Sequence, residues 1–246
     1  MPSCHMPMYK NRFYRTIESK DTLCRFEVKY YETDLLISAH RDLRDIALIW
    51  VKNYHTQIRS YIDTHPQFEK SLEPLPVDTA AAPIVRTMMR AARKAGVGPM
   101  ASVAGAMAEY VGKKLLKYSP EVIVENGGDI FLFVSKDRHV GIFAGIGNVY
   151  NQLKLIISAK DTPCGICTSS GTIGHSLSFG KTNATVVIAR SAAVADAYAT
   201  AVGNMVNNAV EVNAALKFAR KQRVIRGAVI IIDETLSAYG NIRFAK

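Results

Sequence analysis

Asp196 and Thr200 stand four residues apart in the stretch Asp196-Ala-Tyr-Ala-Thr200. On a helix, positions i and i+4 share a face, so one carboxylate and one hydroxyl would project together. That pair suits a hard cation such as Mg²⁺, which takes one or two protein oxygens and completes its shell with water or phosphate. The plain alternative is a buried Asp capping a loop and a Thr bonded back to its own helix.

A second candidate run begins at Cys164-Gly-Ile-Cys167. It continues through Thr168, Ser169, Ser170 and Gly171 to His175 and Gly180. Hydroxyls and backbone amides in such a run can cradle phosphate or carboxylate oxygens. It is not a P-loop: Gly180-Lys-Thr182 mimics the ending, but Ser176 stands where the earlier glycine is required. The Cys-x-x-Cys pair could bind metal or cycle as a dithiol. Structural zinc needs two further ligands, and only His175 is near. The favoured reading is a reduced pair in which loop amides lower the Cys167 pKa and Cys164 serves as resolving thiol. A small buried hydrophobe is the equal alternative for Cys167.

The third candidate is Glu125-Asn-Gly127-Gly128-Asp129, set between two predicted strands. Paired glycines reach backbone conformations that other residues avoid, and they let a chain press against a ligand. A tight turn with Asp129 satisfying turn amides explains the same letters.

The elements that must position these residues follow from periodicity. Strands are predicted at 12–17, 23–30 and 32–39, and a helix at 43–62. Helices follow at 83–95 and 100–118, the second rich in small residues around Gly105. Strands are predicted at 121–124, 130–135 and 140–144, the last two as a hairpin, and at 153–158. Residues 159–183 read as a long loop. A strand at 185–189 leads to a helix over 192–207 capped by Ser191, then a helix at 210–222. Strands at 229–232 and 241–244 form a closing hairpin. Strands and helices come in runs, which predicts an α+β fold with mostly antiparallel sheet. Residues 1–10 read as a loose leader and 11–246 as one domain, within which two sheet-plus-helix-pair halves are conceivable.

The 246 residues carry 31 Lys and Arg against 21 Asp and Glu, a net charge of +10. The excess suits an anionic partner. The basic residues are scattered, with no long block, so the reading favours a solvated basic surface and an anionic small molecule over nucleic acid. No run of about 18 apolar residues marks a membrane span. Four cysteines are too few for a disulfide scaffold at this length, and together these features predict a cytoplasmic protein.

In order, Asn126-Gly-Gly-Asp129-Ile130, Thr168-Ser-Ser-Gly171 and Ala195-Asp-Ala-Tyr-Ala-Thr200-Ala201 resemble the C-terminal half of the ApbE-type FAD:protein FMN transferases. The chain resembles more closely an ApbE-like family of bacteria and archaea. That likeness includes Tyr31-Glu-Thr-Asp-Leu35, His65-Pro-Gln-Phe68, Gly96-Val-Gly-Pro-Met-Ala101, Val103-Ala-Gly-Ala106 and Gly174-His-Ser-Leu-Ser-Phe-Gly180. The resemblance implies a tunnelling-type fold (T-fold), with antiparallel sheets and helix pairs packed on one face. It implies Mg²⁺ at Asp196 and Thr200 beside an FAD or other nucleotide. Gly127, Gly128, Asp129 and the Thr168–Gly171 segment would lie near that ligand. It also implies homo-oligomers, since such sheets tend to pair edge to edge.

Two departures argue against FMN transfer itself. Glu125 replaces the usual Asn, and His175-Ser-Leu-Ser-Phe-Gly180 replaces a His-x-x-Asp-Pro-x-x-Gly stretch. The sequence therefore predicts a Mg²⁺-assisted, transferase-like enzyme or a binder of an anionic flavin- or nucleotide-like ligand, with Cys167, His175 and Asp129 as catalytic candidates. The alternative implied by archaeal relatives is sulfur handling, of sulfide in homocysteine synthesis, through Cys167.

Overall fold

The computed structural model describes residues 23–145, 147–171 and 179–245. The leader, the strand expected at 12–17 and His175 lie outside them.

The chain opens with a hairpin of β1 (Cys24–Tyr30) and β2 (Thr33–Ala39). Four helices follow: α1 (Arg44–Thr64), the short α2 (Gln67–Lys70), α3 (Pro83–Ala95) and α4 (Val103–Leu115). A second hairpin joins β3 (Val122–Asn126) to β4 (Asp129–Phe133). After β5 (Arg138–Gly141) and β6 (Lys154–Ile157), the order repeats in outline. Strands β7 (Cys164–Ser169) and β8 (Ala184–Ala189) precede α5 (Ala192–Gly203) and α6 (Val212–Lys221). Strands β9 (Ile225–Ile232) and β10 (Thr235–Gly240) come next, and β11 (Phe244–Ala245) follows.

Eight strands make one antiparallel sheet in the order β1-β2-β3-β4-β7-β8-β9-β10. Three more make a small sheet, β11-β6-β5. The fold is α+β. The helices cover one face of the large sheet through amphipathic stripes; α1, for example, buries Ala47, Val51, Tyr54, Ile58 and Ile62. The small sheet packs on the other face. Strand β9 shows both layers, because successive side chains alternate sides. Ala228, Ile230 and Ile232 enter the helix-side core, whereas Val229 and Ile231 enter the core beneath the small sheet.

Three expectations are corrected. Residues 130–135 and 140–144 do not form a hairpin: β4 is flanked by β3 and β7, so both its edges are taken, and β5 pairs with β6 in the small sheet. The closing hairpin joins β9 to β10, while Phe244 and Ala245 pair with β6. The long loop expected over 159–183 contains β7, an interior strand of the large sheet. Its Gly, Ser, Thr and Cys residues read as loop by composition. They are small because α5 begins against this strand: a Cβ added at Gly165 would lie 2.2 Å from the Ala192 Cα.

Candidate functional site

The β3–β4 turn is fixed by its own sequence. Asn126 pairs with Asp129, leaving Gly127 and Gly128 as a two-residue connection with φ of 66° and 103°. Positive φ at both central positions matches a hairpin turn that twists with its strands, and glycine adopts it without strain. Glu125 completes the turn, its carboxylate accepting a hydrogen bond from the Gly128 N–H at 2.8 Å. Asp129 is thereby held at the start of β4, buried, and its Oδ1 accepts from the Thr168 N–H at 3.3 Å.

Asp196 approaches from α5. Its Oδ2 accepts from the Gly105 N–H at 2.8 Å, in the first turn of α4. First-turn amides have no partner within their own helix. Ser102, preceding α4, makes no side-chain cap, so the carboxylate of a distant helix does the capping. The contact requires glycine at 105. A Cβ there would lie 2.4 Å from the Ala192 carbonyl oxygen and 2.8 Å from the Asp196 Cβ. The small residues of α4 thus serve packing within the chain.

Cys167 lies between the two acids. It is fully buried, and its Sγ is 3.3 Å from the Ala192 carbonyl oxygen and also interacts with the Asp129 carboxyl. The electrostatics of the trio are one-sided. Burial raises Asp129 well above the ordinary carboxyl range, and the neighbouring Asp196 charge raises it further. Burial raises Asp196 to about 7, against the opposing pull of the Gly105 and Ala104 amides. Among the described residues, no Lys or Arg figures among the groups acting on either acid.

The surroundings of Cys167 run against the reactive-thiol expectation. Burial pushes the Cys167 thiol well above its usual range, and the two acids push in the same direction. Cys164 cannot serve as its resolving partner. The two cysteines are three apart on a strand, so they face opposite sides of the sheet: Cys167 joins the helix-side core and Cys164 the core under the small sheet. Facing opposite sides of the sheet, the two cysteines cannot share a zinc ion.

The remaining candidates are placed as follows. Thr168 contributes its backbone N–H to Asp129, and Ser169 lies beside Gly203, near the end of α5. The Ser170 hydroxyl reaches the Thr182 carbonyl at 3.4 Å, and the Gly171 N–H donates to the same oxygen at 2.9 Å. These two residues are therefore tied to the backbone at Thr182. Thr200 is half-buried one turn beyond Asp196 on the same face of α5. The sequence reading missed the Ala104 and Gly105 amides as partners of Asp196. Their only signal was the run of small residues, which permits close approach without naming what approaches.

The comparisons with known proteins agree with this architecture. The family model described as "AbpE bacteria" matches residues 15–222. A "UPF0280 protein" of Methanococcus aeolicus is 40% identical over 190 residues, covering 75% of this chain and 77% of its own. Another, of Methanocella arvoryzae, is 34% identical over 232 residues, covering 92% and 93%. Among solved structures, a mutant form of the flavin transferase ApbE from Vibrio cholerae superposes with a TM-score of 0.54 at 14% identity, covering 88% of this chain and 96% of its own. An ApbE protein from Thermotoga maritima gives 0.51 at 10% identity, covering 87% and 96%. At such identities the structural likeness is one of fold. The extent of the family match and the identity to the archaeal relatives show that the chain belongs to the ApbE-like family described as "AbpE bacteria", together with the UPF0280 proteins.

Proposed function

We propose that this protein binds an anionic flavin- or nucleotide-like small molecule with Mg²⁺ at the Asp129–Asp196 site, as a binder or a transferase-like enzyme distinct from an FMN transferase. One observation carries the reading: a buried acid, Asp129, and a half-buried one, Asp196, interact, and no basic side chain of the described residues acts on either. Such a pair is short of positive charge, and a bound cation relieves it. The donor set fits Mg²⁺. The Asp196 carboxylate and the Thr200 hydroxyl would hold the ion, with Asp129 nearby. When bound, the ion supplies charge neutralisation to phosphate oxygens. The Vibrio cholerae neighbour, described as a flavin transferase, makes FAD the first ligand to try.

The chain's own groups have separable roles in this reading. The Ala104 and Gly105 amides orient the Asp196 carboxylate. The Gly127–Gly128 turn, tied by Glu125, sets Asp129 against the Thr168 backbone. Burial and the Asp196 charge raise Asp129, and a cation beside it would act in the opposite direction. The sulfur-handling alternative has no support in a buried, hard-to-ionise Cys167.

Titration calorimetry with FAD, with Mg²⁺ or with EDTA, tests the reading. Metal-dependent binding in the wild-type chain and its loss in Asp196→Asn are expected; equal affinity with and without metal refutes it. Copies of the chain would pair along the outer strands β1 and β10 of the large sheet. A monomer mass in light scattering would refute that part.

A further inference from the structure

The net charge of +10 is scattered along the sequence, but folding gathers part of it at one place. Tyr198 on α5 marks the spot. Its hydroxyl donates to the Lys94 carbonyl oxygen at 2.7 Å, at the end of α3, and lies 3.2 Å from Gln222 Oε1, just past the end of α6. The last turns of two helices are thereby held side by side. Arg90, Arg93 and Lys94 belong to the first, Arg220 and Lys221 to the second, and Arg223 follows directly. All six are exposed. Neither α3 nor α6 contains an Asp or Glu, and the segment from Gln222 to Arg226 has none. Among the described residues, none of the six takes part in an ion pair; the pairs that form lie at other cations.

We propose that this surface is a docking site for the phosphate backbone of double-stranded nucleic acid, read without regard to sequence. Cations at helix C-termini also offset the helix dipole, but that needs only a charge or two per helix. Six cations with no carboxylate among them exceed it. Four of the six are arginines, whose planar guanidinium matches phosphate oxygens in a bidentate fork. A protein partner would call for exposed aromatic or apolar anchors within the patch. Among the described residues, the large apolar side chain exposed within these segments is Val224, at 37%. The same shortage argues against insertion into a membrane surface. Without exposed rings for base stacking, the surface fits duplex rather than single strands. None of the six residues belongs to the Asp129–Asp196 site, so this inference stands or falls separately from the proposed ligand.

Fluorescence anisotropy with a short duplex DNA of arbitrary sequence tests it. Wild-type protein is compared with the double variant Arg93→Glu/Arg223→Glu and with Lys70→Glu/Lys160→Glu. The second variant makes the same charge change at exposed positions outside the patch. Binding is expected at about 50 mM salt. Six neutralised phosphates would weaken it about a thousandfold by about 200 mM. The patch variant is expected to lose about tenfold or more at low salt, with an unchanged melting temperature, and the control variant far less. No duplex binding at about 50 mM salt, or equal losses in the two variants, overturns the proposal. Binding of the wild type to anionic vesicles or to a polyglutamate peptide in place of DNA overturns it as well.

Discussion

Buried carboxylates occur in two kinds of surroundings in this molecule. Glu121, at the start of β3, accepts a hydrogen bond from the Ser135 hydroxyl and pairs with Arg138 at 2.7 Å. Burial alone would raise its pKa, but Ser135 and Arg138 outweigh burial and hold it below the ordinary value of 4.5. Glu109 on α4 has partners of the same kind, the Lys113 ammonium at 2.5 Å and the Ser191 hydroxyl at 2.6 Å. Asp129 is as deeply placed and Asp196 is half-buried; the charge of Asp196 acts on Asp129, and both are raised. Glu121 and Glu109 thus have a cation beside them, whereas, among the described residues, no Lys or Arg acts on Asp129 or Asp196. That difference separates structural acids from a binding site more sharply than burial does.

The largest effect is expected on the structural side of the comparison. Arg138→Ala would leave Glu121 buried without its cation, at a cost of about 3 kcal/mol in chemical denaturation. A loss below about 0.5 kcal/mol would mean that Glu121 finds water instead, and the contrast would weaken.

The pH dependence of stability should carry opposite signs for the two kinds. Asp196 has a folded pKa of about 7, above its ordinary 3.8, so between these values the native chain holds a proton that the unfolded chain releases. Its contribution is fully present below that window and is lost as pH rises through it, by up to about 1.4 kcal/mol per pH unit. Glu121 behaves inversely. Its contribution is present above pH 4.5 and is lost as pH falls through the depressed folded value. Melting curves across this range should flatten between pH 4 and 7 in Asp196→Asn but keep their acid limb. An unchanged profile in that variant would show that Asp196 is not the group responsible.

The smallest effect concerns the thiols. Cys164 and Cys167 are both fully buried, and burial raises Cys164 to about 12. Native protein treated with iodoacetamide at neutral pH should yield an unmodified peptide spanning 164–167, whereas urea-unfolded protein labels fully. Native labelling of Cys167 would restore the thiol chemistry that its burial removes.

Much of this arrangement can be read from the sequence, and the limits have physical causes. Ser191 announced the start of α5 as a cap, and its hydroxyl does accept from the Val194 N–H. Pro83 announced α3 in the same way. Periodicity located α1 because one face of that helix meets water. Strand β7 escaped because it is buried on both faces, so no alternation of polar and apolar residues marks it. The opposite directions of Cys164 and Cys167 followed only once the segment was known to be a strand. The shared helix face of Asp196 and Thr200 was legible from spacing, but the Gly105 contact spans 91 positions and has no local signature. The cations beside Tyr198 were hidden for the same reason, since α3 and α6 lie far apart in the chain.

On the proposed reading, Asp129 and Asp196 leave a place for a divalent cation. Mn²⁺ replaces Mg²⁺ at oxygen sites and is counted directly by the loss of its free signal in electron paramagnetic resonance. Titrated with Mn²⁺ at pH 8 in the presence of ADP, the wild-type chain should take up the ion stoichiometrically, and Mg²⁺ should release it. Asp196→Asn, folded by its melting curve, should not take it up. Equal uptake by the variant, or none by the wild type, would contradict the claim.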